Sequence, residues 1–254
     1  MASGPASPRQ LYLDLLKLCL TRLIFPDCEV NEQMVPTGHY DRDKRLRGQD
    51  WPSEAETMIG LSRLTHLEKC VIEVLENNVP GDLVETGVWR GGASILMRAV
   101  LKAYGDFERT VWLADSFEGL PRPNACCPAD TGDRLAEFNA YLGVSLECVQ
   151  ANFARYGLHD GQVRFLEGWF HETLPAAPID RIAVLRLDGD MYQSTMDALV
   201  NLYSKISVGG YLIIDDYGAI PACKAAIHDF RDAHQIVEPI QWIDWTGAFW
   251  KRAR

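Results

Sequence analysis

Five acids stand where the pattern of the chain puts the ends of strands. Asp115 closes the run Thr110 to Ala114, Asp188-Gly189-Asp190 closes Ile182 to Leu187, and Asp215-Asp216 closes Gly210 to Ile214. In an open parallel sheet, ligands bind beyond the carboxyl ends of the strands. With the last two strands as neighbours, four carboxylates would crowd one rim, repel each other and raise their own pKa values. A bound Mg2+ relieves that repulsion, since it takes oxygen ligands and keeps positions for water or substrate. Any one of these acids could simply cap the following helix or turn. Two doublets on adjacent strand ends exceed what caps require.

Asp115 and Glu85 point to a second ligand. An acid at the end of the second strand commonly accepts hydrogen bonds from ribose hydroxyls. Glu85 lies near the end of a strand read over Asp82 to Val88, which runs into a turn with glycines at 87, 91 and 92. Such a turn brings backbone N–H groups close to a polar or anionic ligand. The spacing is not the G-x-G-x-x-G dinucleotide pattern, and no Walker lysine follows. An adenosine-containing cofactor held without a phosphate clamp fits these residues. Glu85 can hold an amine or orient the turn, and the hydroxyl of Ser94 can meet a carboxylate. Trp169 suits either stacking on an adenine or a place in the core. Histidines 39, 66, 159, 171, 228 and 234 show no ligand spacing.

The elements that must position these groups alternate. Helical spacing over Ala93 to Tyr104 follows the glycine turn, and Thr110 to Ala114 reads as the second strand. A helix near Leu146 to Tyr156 precedes a third strand, Val163 to Leu166. After the fourth strand, Ile182 to Leu187, helices over Gln193 to Ile206 and Ala219 to Ala233 flank the fifth. Ile236 to Asp244 and Ala248 to Lys251 suit two closing strands. This rhythm predicts an α/β, Rossmann-like, mostly parallel sheet covered on both faces. Residues 117–143 break it as a long insertion with Pro121, Pro123 and Cys126-Cys127-Pro128, read as a cover over the site.

Ahead of the core at 82–254, residues 1–81 read as a tail and helical extension packed on it. Met1 to Pro8 is expected to be disordered. Leu11 to Phe25 is an amphipathic helix in which Leu11, Leu15, Leu18 and Arg22 flank a buried stripe, for core or subunit packing or, alternatively, as an active-site lid. Asp41 to Arg45 is a mixed-charge run, expected as a solvated face. Ser53 with Glu56 has capping-box spacing and predicts a helix start, with another helix over Thr65 to Glu76.

At 254 residues, 47% hydrophobic and 24% charged, the chain has the make-up of one large globular domain. A net charge of −10 argues against a nucleic-acid partner and suits a divalent cation. Seven scattered cysteines without C-x-x-C spacing imply reduced thiols in a cytoplasm. The apolar run at 11–25 contains Asp14, Lys17 and Arg22 and is too short to span a membrane.

Several segments together resemble the macrocin O-methyltransferase family, which includes mycinamicin sugar methyltransferases and the noviose 4-O-methyltransferase. They are Glu85 to Gly92, Val111 to Phe117, Asn152 to Leu158, Val163 to Phe170, Leu185 to Asp190 and Ile213 to Tyr217. The likeness runs from about Leu11 to Trp250 and includes Thr57-Met58-Ile59-Gly60; the ending Asp244-Trp245-Thr246-Gly247 is nearest the noviose enzyme. The resemblance implies a class I S-adenosylmethionine-dependent, Mg2+-dependent methyl transfer to a deoxysugar hydroxyl of a glycosylated natural product. By position, Asp188, Asp215 and Asp216 would hold the metal and Asp190 would be the general base. Thr57, Met58, Glu85, Gly87, Ser94, Asp115, Ser116 and Trp169 would line the cofactor site. A homo-oligomer, dimer or larger, is expected, with a glycosylated small-molecule acceptor and neither nucleic acid nor membrane as partner. Ala136 stands where the macrolide members carry a histidine, and Cys126-Cys127 belong to this chain alone, which leaves the acceptor open. Two other readings compete: a nicotinamide-dependent sugar oxidoreductase, which would need a glycine this turn lacks, and a non-catalytic ligand-binding module.

Overall fold

The computed structural model describes residues 6–124 and 127–254, so Cys126 lies outside the described residues. Its strands are β1 (Asp82–Thr86), β2 (Val111–Asp115), β3 (Val163–Glu167), β4 (Ile182–Leu187), β5 (Ile206–Ile214), β6 (Gln241–Trp242) and β7 (Ala248–Lys251). They form one sheet in the order β3-β2-β1-β4-β5-β7-β6, with the first five parallel and the last two antiparallel to their neighbours. The helices are α1 (Pro8–Leu20), α2 (Arg42–Arg47), α3 (Gly60–Glu76), α4 (Gly92–Tyr104), α5 (Asn139–Leu142), α6 (Leu146–Arg155), α7 (Phe170–Thr173), α8 (Tyr192–Leu202) and α9 (Pro221–Ala233). Among the described residues no helix is long and apolar enough to cross a membrane.

The period of two along the strands explains the two layers. Tyr211 and Ile213 of β5 face Leu64, Leu96 and Val100, whereas Leu212 and Ile214 face Leu199, Leu202 and Ile227. Every residue of β4 is buried, as a central strand covered on both faces requires. Each large side chain removed from water in this way contributes about 1.5–3 kcal/mol. The order in which strands are added across the sheet reverses after β3, so that β4 joins β1 on its other side and leaves a crevice at the carboxyl ends of β1 and β4, where open α/β sheets bind ligands.

The N-terminal third departs most from expectation. Helix α1 opens at Pro8 with Ser7 as its N-cap, so the tail is ordered from there. Its buried stripe is Leu13, Leu16, Lys17 and Leu20, while Leu11 and Leu15 are exposed outside it. No helix starts at Ser53. The N–H groups of Glu54 and Ala55 are taken by the Asp27 carboxylate and that of Glu56 by the Leu20 carbonyl, so a single helix, α3, begins at Gly60. The mixed-charge run is solvated at Arg42, Asp43 and Lys44, as expected, but not at Arg45. It forms α2, capped by Asp41, and Arg45 is 1% exposed between the carboxylates of Asp27 and Asp50.

Three later boundaries also move. Helix α8 ends at Leu202 and β5 starts at Ile206, whose buried side chain pairs beside Ile182. Strand β6 keeps only Gln241–Trp242, because Pro239 has no N–H for the ladder and Asp244 turns the chain by accepting from Thr246 and Gly247. The insertion is partly regular, with single turns at Pro128–Asp130 and Leu135–Phe138 leading into α5.

Arg45 gives the test of this N-terminal packing. Arg45→Ala should lower stability by about 3–5 kcal/mol in urea unfolding, since it strands two buried carboxylates. A loss under about 1 kcal/mol, the value for an exposed pair, would return Arg45 to the surface.

Candidate active site

A cavity of about 660 Å3 opens at the carboxyl ends of the parallel strands. Strand register builds its floor. Glu85 on β1 lies opposite Arg186 on β4, and the Arg186 guanidinium donates to Glu85 Oε1 at 2.6 Å. Two residues on, and therefore on the same face, Asp188 Oδ2 accepts from the same nitrogen at 2.7 Å. The other Arg186 nitrogen pairs with Asp215 at the end of β5, whose second oxygen pairs with Arg63 of α3. Arg63 is fixed in turn by Asp244 at 3.1 Å and the Gly48 carbonyl at 3.2 Å.

Two guanidinium groups therefore sit among Glu85, Asp188, Asp190, Asp215 and Asp216, all of which line the cavity. The acids outnumber the cations, and the electrostatics follow. Burial works against the Arg186 charge, but Asp188, Asp215 and Glu85 outweigh it and hold its pKa well above the usual value. Burial pushes Glu85 up to about 7 despite Arg186 and the Ser94 hydroxyl. Burial, with Asp188 and Asp215 nearby, pushes Asp190 well above the carboxylate range; burial and Asp190 do the same to Asp216.

The expected metal trio is brought together. One carboxylate oxygen from each of Asp188, Asp215 and Asp216 lies within 4.8 Å of the others. Asp216 Oδ2 is buried without a hydrogen-bond partner among the described residues, and carboxylate oxygens carry lone pairs beyond those given to the arginines. An orphaned oxygen in an all-oxygen donor set with excess negative charge fits a Mg2+ ion. Asp190 lines the same cavity from a left-handed backbone, φ 57°.

Of the expected cofactor residues, Thr57, Met58, Glu85, Gly87, Asp115, Ser116 and Trp169 all line the cavity. Ser94 does not. It is fully buried behind Glu85 and donates to its Oε2, which orients that acid. Gly87 is required by geometry: at φ 81°, a Cβ there would lie 1.8 Å from the Asp188 carbonyl oxygen. Asp115 accepts from the Val88 N–H at 2.7 Å and the Phe117 N–H at 2.8 Å, so it fastens the glycine turn to the second strand while facing the cavity. Thr57 and Met58 reach the site because the Gly92 N–H, at the start of α4, donates to the Glu56 carbonyl at 2.9 Å.

Several contributors were not anticipated. Arg186 is a charge inside a strand that is otherwise apolar, and that anomaly was its signal in the sequence. Thr246 donates to the Asp215 carbonyl at 3.0 Å, and half-exposed Trp245 lines the rim beside it; no spacing marked either. The insertion supplies one wall through Gly119, Leu120, Arg122, Asp130 and Leu135. His171, which has no ligand spacing in the sequence, is exposed and lines the cavity.

Comparison with known proteins gives one consistent picture. The model of the macrocin-O-methyltransferase family (TylF) matches residues 9–252. The 8-demethyl-8-(2,3-dimethoxy-alpha-L-rhamnosyl)-tetracenomycin-C 4'-O-methyltransferase of Streptomyces olivaceus is 59% identical, covering 96% of this chain and 93% of that protein. The demethyldecarbamoylnovobiocin O-methyltransferase of Streptomyces niveus is 50% identical, covering 98% and 95%. The solved structure of the O-methyltransferase NovP matches with a TM-score of 0.93 at 49% identity, covering 97% of this chain and 100% of that one.

Glu85 yields a pH prediction. Its raised pKa means the folded state holds this proton more tightly than the unfolded chain, where the group titrates near 4.5. That stabilisation is complete below about pH 4.5 and is lost as pH rises through about 7. In cofactor-free urea unfolding, Glu85→Gln should therefore gain about 1–3 kcal/mol on the parent between about pH 4.5 and 7.5. A difference that stays constant with pH would contradict the buried, protonatable Glu85.

Proposed function

The chain belongs to the macrocin-O-methyltransferase family and is an S-adenosylmethionine-dependent O-methyltransferase; from that premise we propose that it methylates a deoxysugar hydroxyl of a glycosylated natural product in a Mg2+-dependent reaction. The observation that carries this is the Asp188, Asp215 and Asp216 oxygen cluster, set in one cavity with the glycine turn and with Asp190.

Asp188, Asp215 and Asp216 would hold Mg2+, which when bound supplies the Lewis acidity that lowers the pKa of a neighbouring sugar hydroxyl. The chain's own groups do the rest. Glu85, Gly87 and Asp115 shape the cofactor side from the strand ends, Thr57 and Met58 close over it, and Ser116 and Trp169 complete the wall. S-adenosylmethionine supplies the methyl group, and the excess of carboxylates favours its sulfonium charge in the cavity. Asp190 accepts the hydroxyl proton as the O–CH3 bond forms and the S–CH3 bond breaks, leaving its electron pair on sulfur. Holding both reactants in one cavity turns a bimolecular encounter into an oriented transfer.

The relatives' names support the acceptor class, since one names a rhamnosyl tetracenomycin and another demethyldecarbamoylnovobiocin. Neither dehydrogenase chemistry nor a purely binding role has support from such relatives. A panel of demethyl tetracenomycin- and novobiocin-type glycosides, assayed for methyl transfer, tests the class; transfer to none of them, with activity on a non-glycosylated phenol, would overturn it.

Two measurements test the roles. Excess EDTA should abolish turnover and Mg2+ restore it, with S-adenosylhomocysteine affinity nearly unchanged; full turnover in chelator would remove the metal from the reaction. Asp190→Asn should lower kcat by about 10^2–10^4-fold at saturating Mg2+ and cofactor, the usual reach of general-base catalysis. If added Mg2+ rescues Asp190→Asn, that residue is a metal ligand instead.

A further inference from the structure

The loop that carries Asp190 is held at its two ends by different parts of the molecule. On the sheet side, the Asp188 N–H donates to the Thr86 carbonyl at 2.8 Å, continuing the β1–β4 ladder. On the other side, α8 begins at Tyr192, and the first N–H groups of a helix lack partners within it. The N-cap position is Met191, which offers no capping acceptor. Asp130, in the 117–143 insertion, does the capping instead. Its Oδ1 accepts from the Tyr192 N–H at 2.7 Å and its Oδ2 from the Gln193 N–H at 3.0 Å.

Asp130 is 1% exposed, and a carboxylate seated on a helix N-terminus is favoured by the helix dipole. The residues between the two anchors are constrained. Asp190 takes a left-handed φ of 57°, and the Met191 N–H donates back to the Gly189 carbonyl at 2.6 Å. Such a backbone persists only while its surroundings over-determine it. A local Ser, Thr or Asp at position 191 would make the loop self-sufficient; here the cap comes from the wall of the cavity.

We infer that Asp130 is a positioning residue that ties the seating of the insertion to the placement of Asp190. This rests on the reading of Asp190 as the base. A loop released at one end still reaches the cavity, but its carboxylate no longer meets the hydroxyl in line, and a misplacement near 1 Å costs on the order of 10^2-fold in rate.

The test is a cycle of Asp130→Ala, Asp190→Asn and the double variant in the full chain, using the glycoside that the parent turns over fastest in the panel above. Asp130→Ala should lower kcat about 10–100-fold in the parent but less than about threefold in the Asp190→Asn background, because both changes act on one group. S-adenosylhomocysteine affinity should stay within about threefold, and without acceptor the amides of Tyr192 and Gln193 should exchange faster. Asp130→Asn, which keeps one acceptor oxygen, should recover part of the rate and guards against loss of folding in the alanine variant. Equal factors in both backgrounds, or unchanged kcat with faster amide exchange, would overturn the positioning role alone. An Asp190→Asn variant as fast as the parent would overturn the base assignment and this role with it.

Discussion

A buried guanidinium sets the terms for the whole site. Arg186 lies in the central strand with its side chain 2% exposed, ion-paired to Glu85, Asp188 and Asp215. Three strand-end acids can approach each other only because this charge stands between them. Breaking a buried pair of this kind leaves an uncompensated charge at a cost of about 3–5 kcal/mol. The arrangement is also deliberately incomplete in charge. Among the described residues neither Asp190 nor Asp216 forms an ion pair, and Asp216 Oδ2 has no hydrogen-bond partner. That residual negative charge is what a divalent ion or a sulfonium would complete.

Around this core the chain divides its labour. The sheet places groups by register, as when β1 and β4 bring Glu85 opposite Arg186. The N-terminal extension supplies Arg63 and the Glu56 to Met58 stretch that leans on the start of α4. The insertion is tied down at two points. One is the Asp130 cap; at the other, the Tyr141 hydroxyl donates to the Pro52 carbonyl at 2.7 Å and its ring stacks on Trp51. A wall fixed at its middle and near its C-terminal end shapes the cavity more firmly than its prolines and irregular pattern suggest.

The sheet could be read from the sequence because its strands are short apolar runs ended by acids or glycines, and the period is local information. The four acids at the ends of β4 and β5 were visible for the same reason, as was the glycine turn at Gly87, while their division into ligands and base came only from the family resemblance. What escaped was set by distant partners. Arg45 looked solvated because its acids, Asp27 and Asp50, lie outside its own run. Ser53 and Glu56 matched a cap, but Asp27 and Leu20 had already taken the amides a helix would leave free. Asp130 carried no local mark at all, since the helix it caps lies some sixty residues downstream.

The most direct measurement of the central claim is metal binding itself, read without turnover. Mn2+ titrated into the S-adenosylhomocysteine-bound protein, followed by the loss of its free-ion electron paramagnetic resonance signal, should reveal one ion per chain, displaced by Mg2+. Asp216→Asn, which removes the unpartnered oxygen's charge, should weaken that binding by about tenfold or more, in line with losing a charge-assisted contact. Equal Mn2+ binding by parent and variant, or none by the parent, would contradict a metal centre at the ends of β4 and β5.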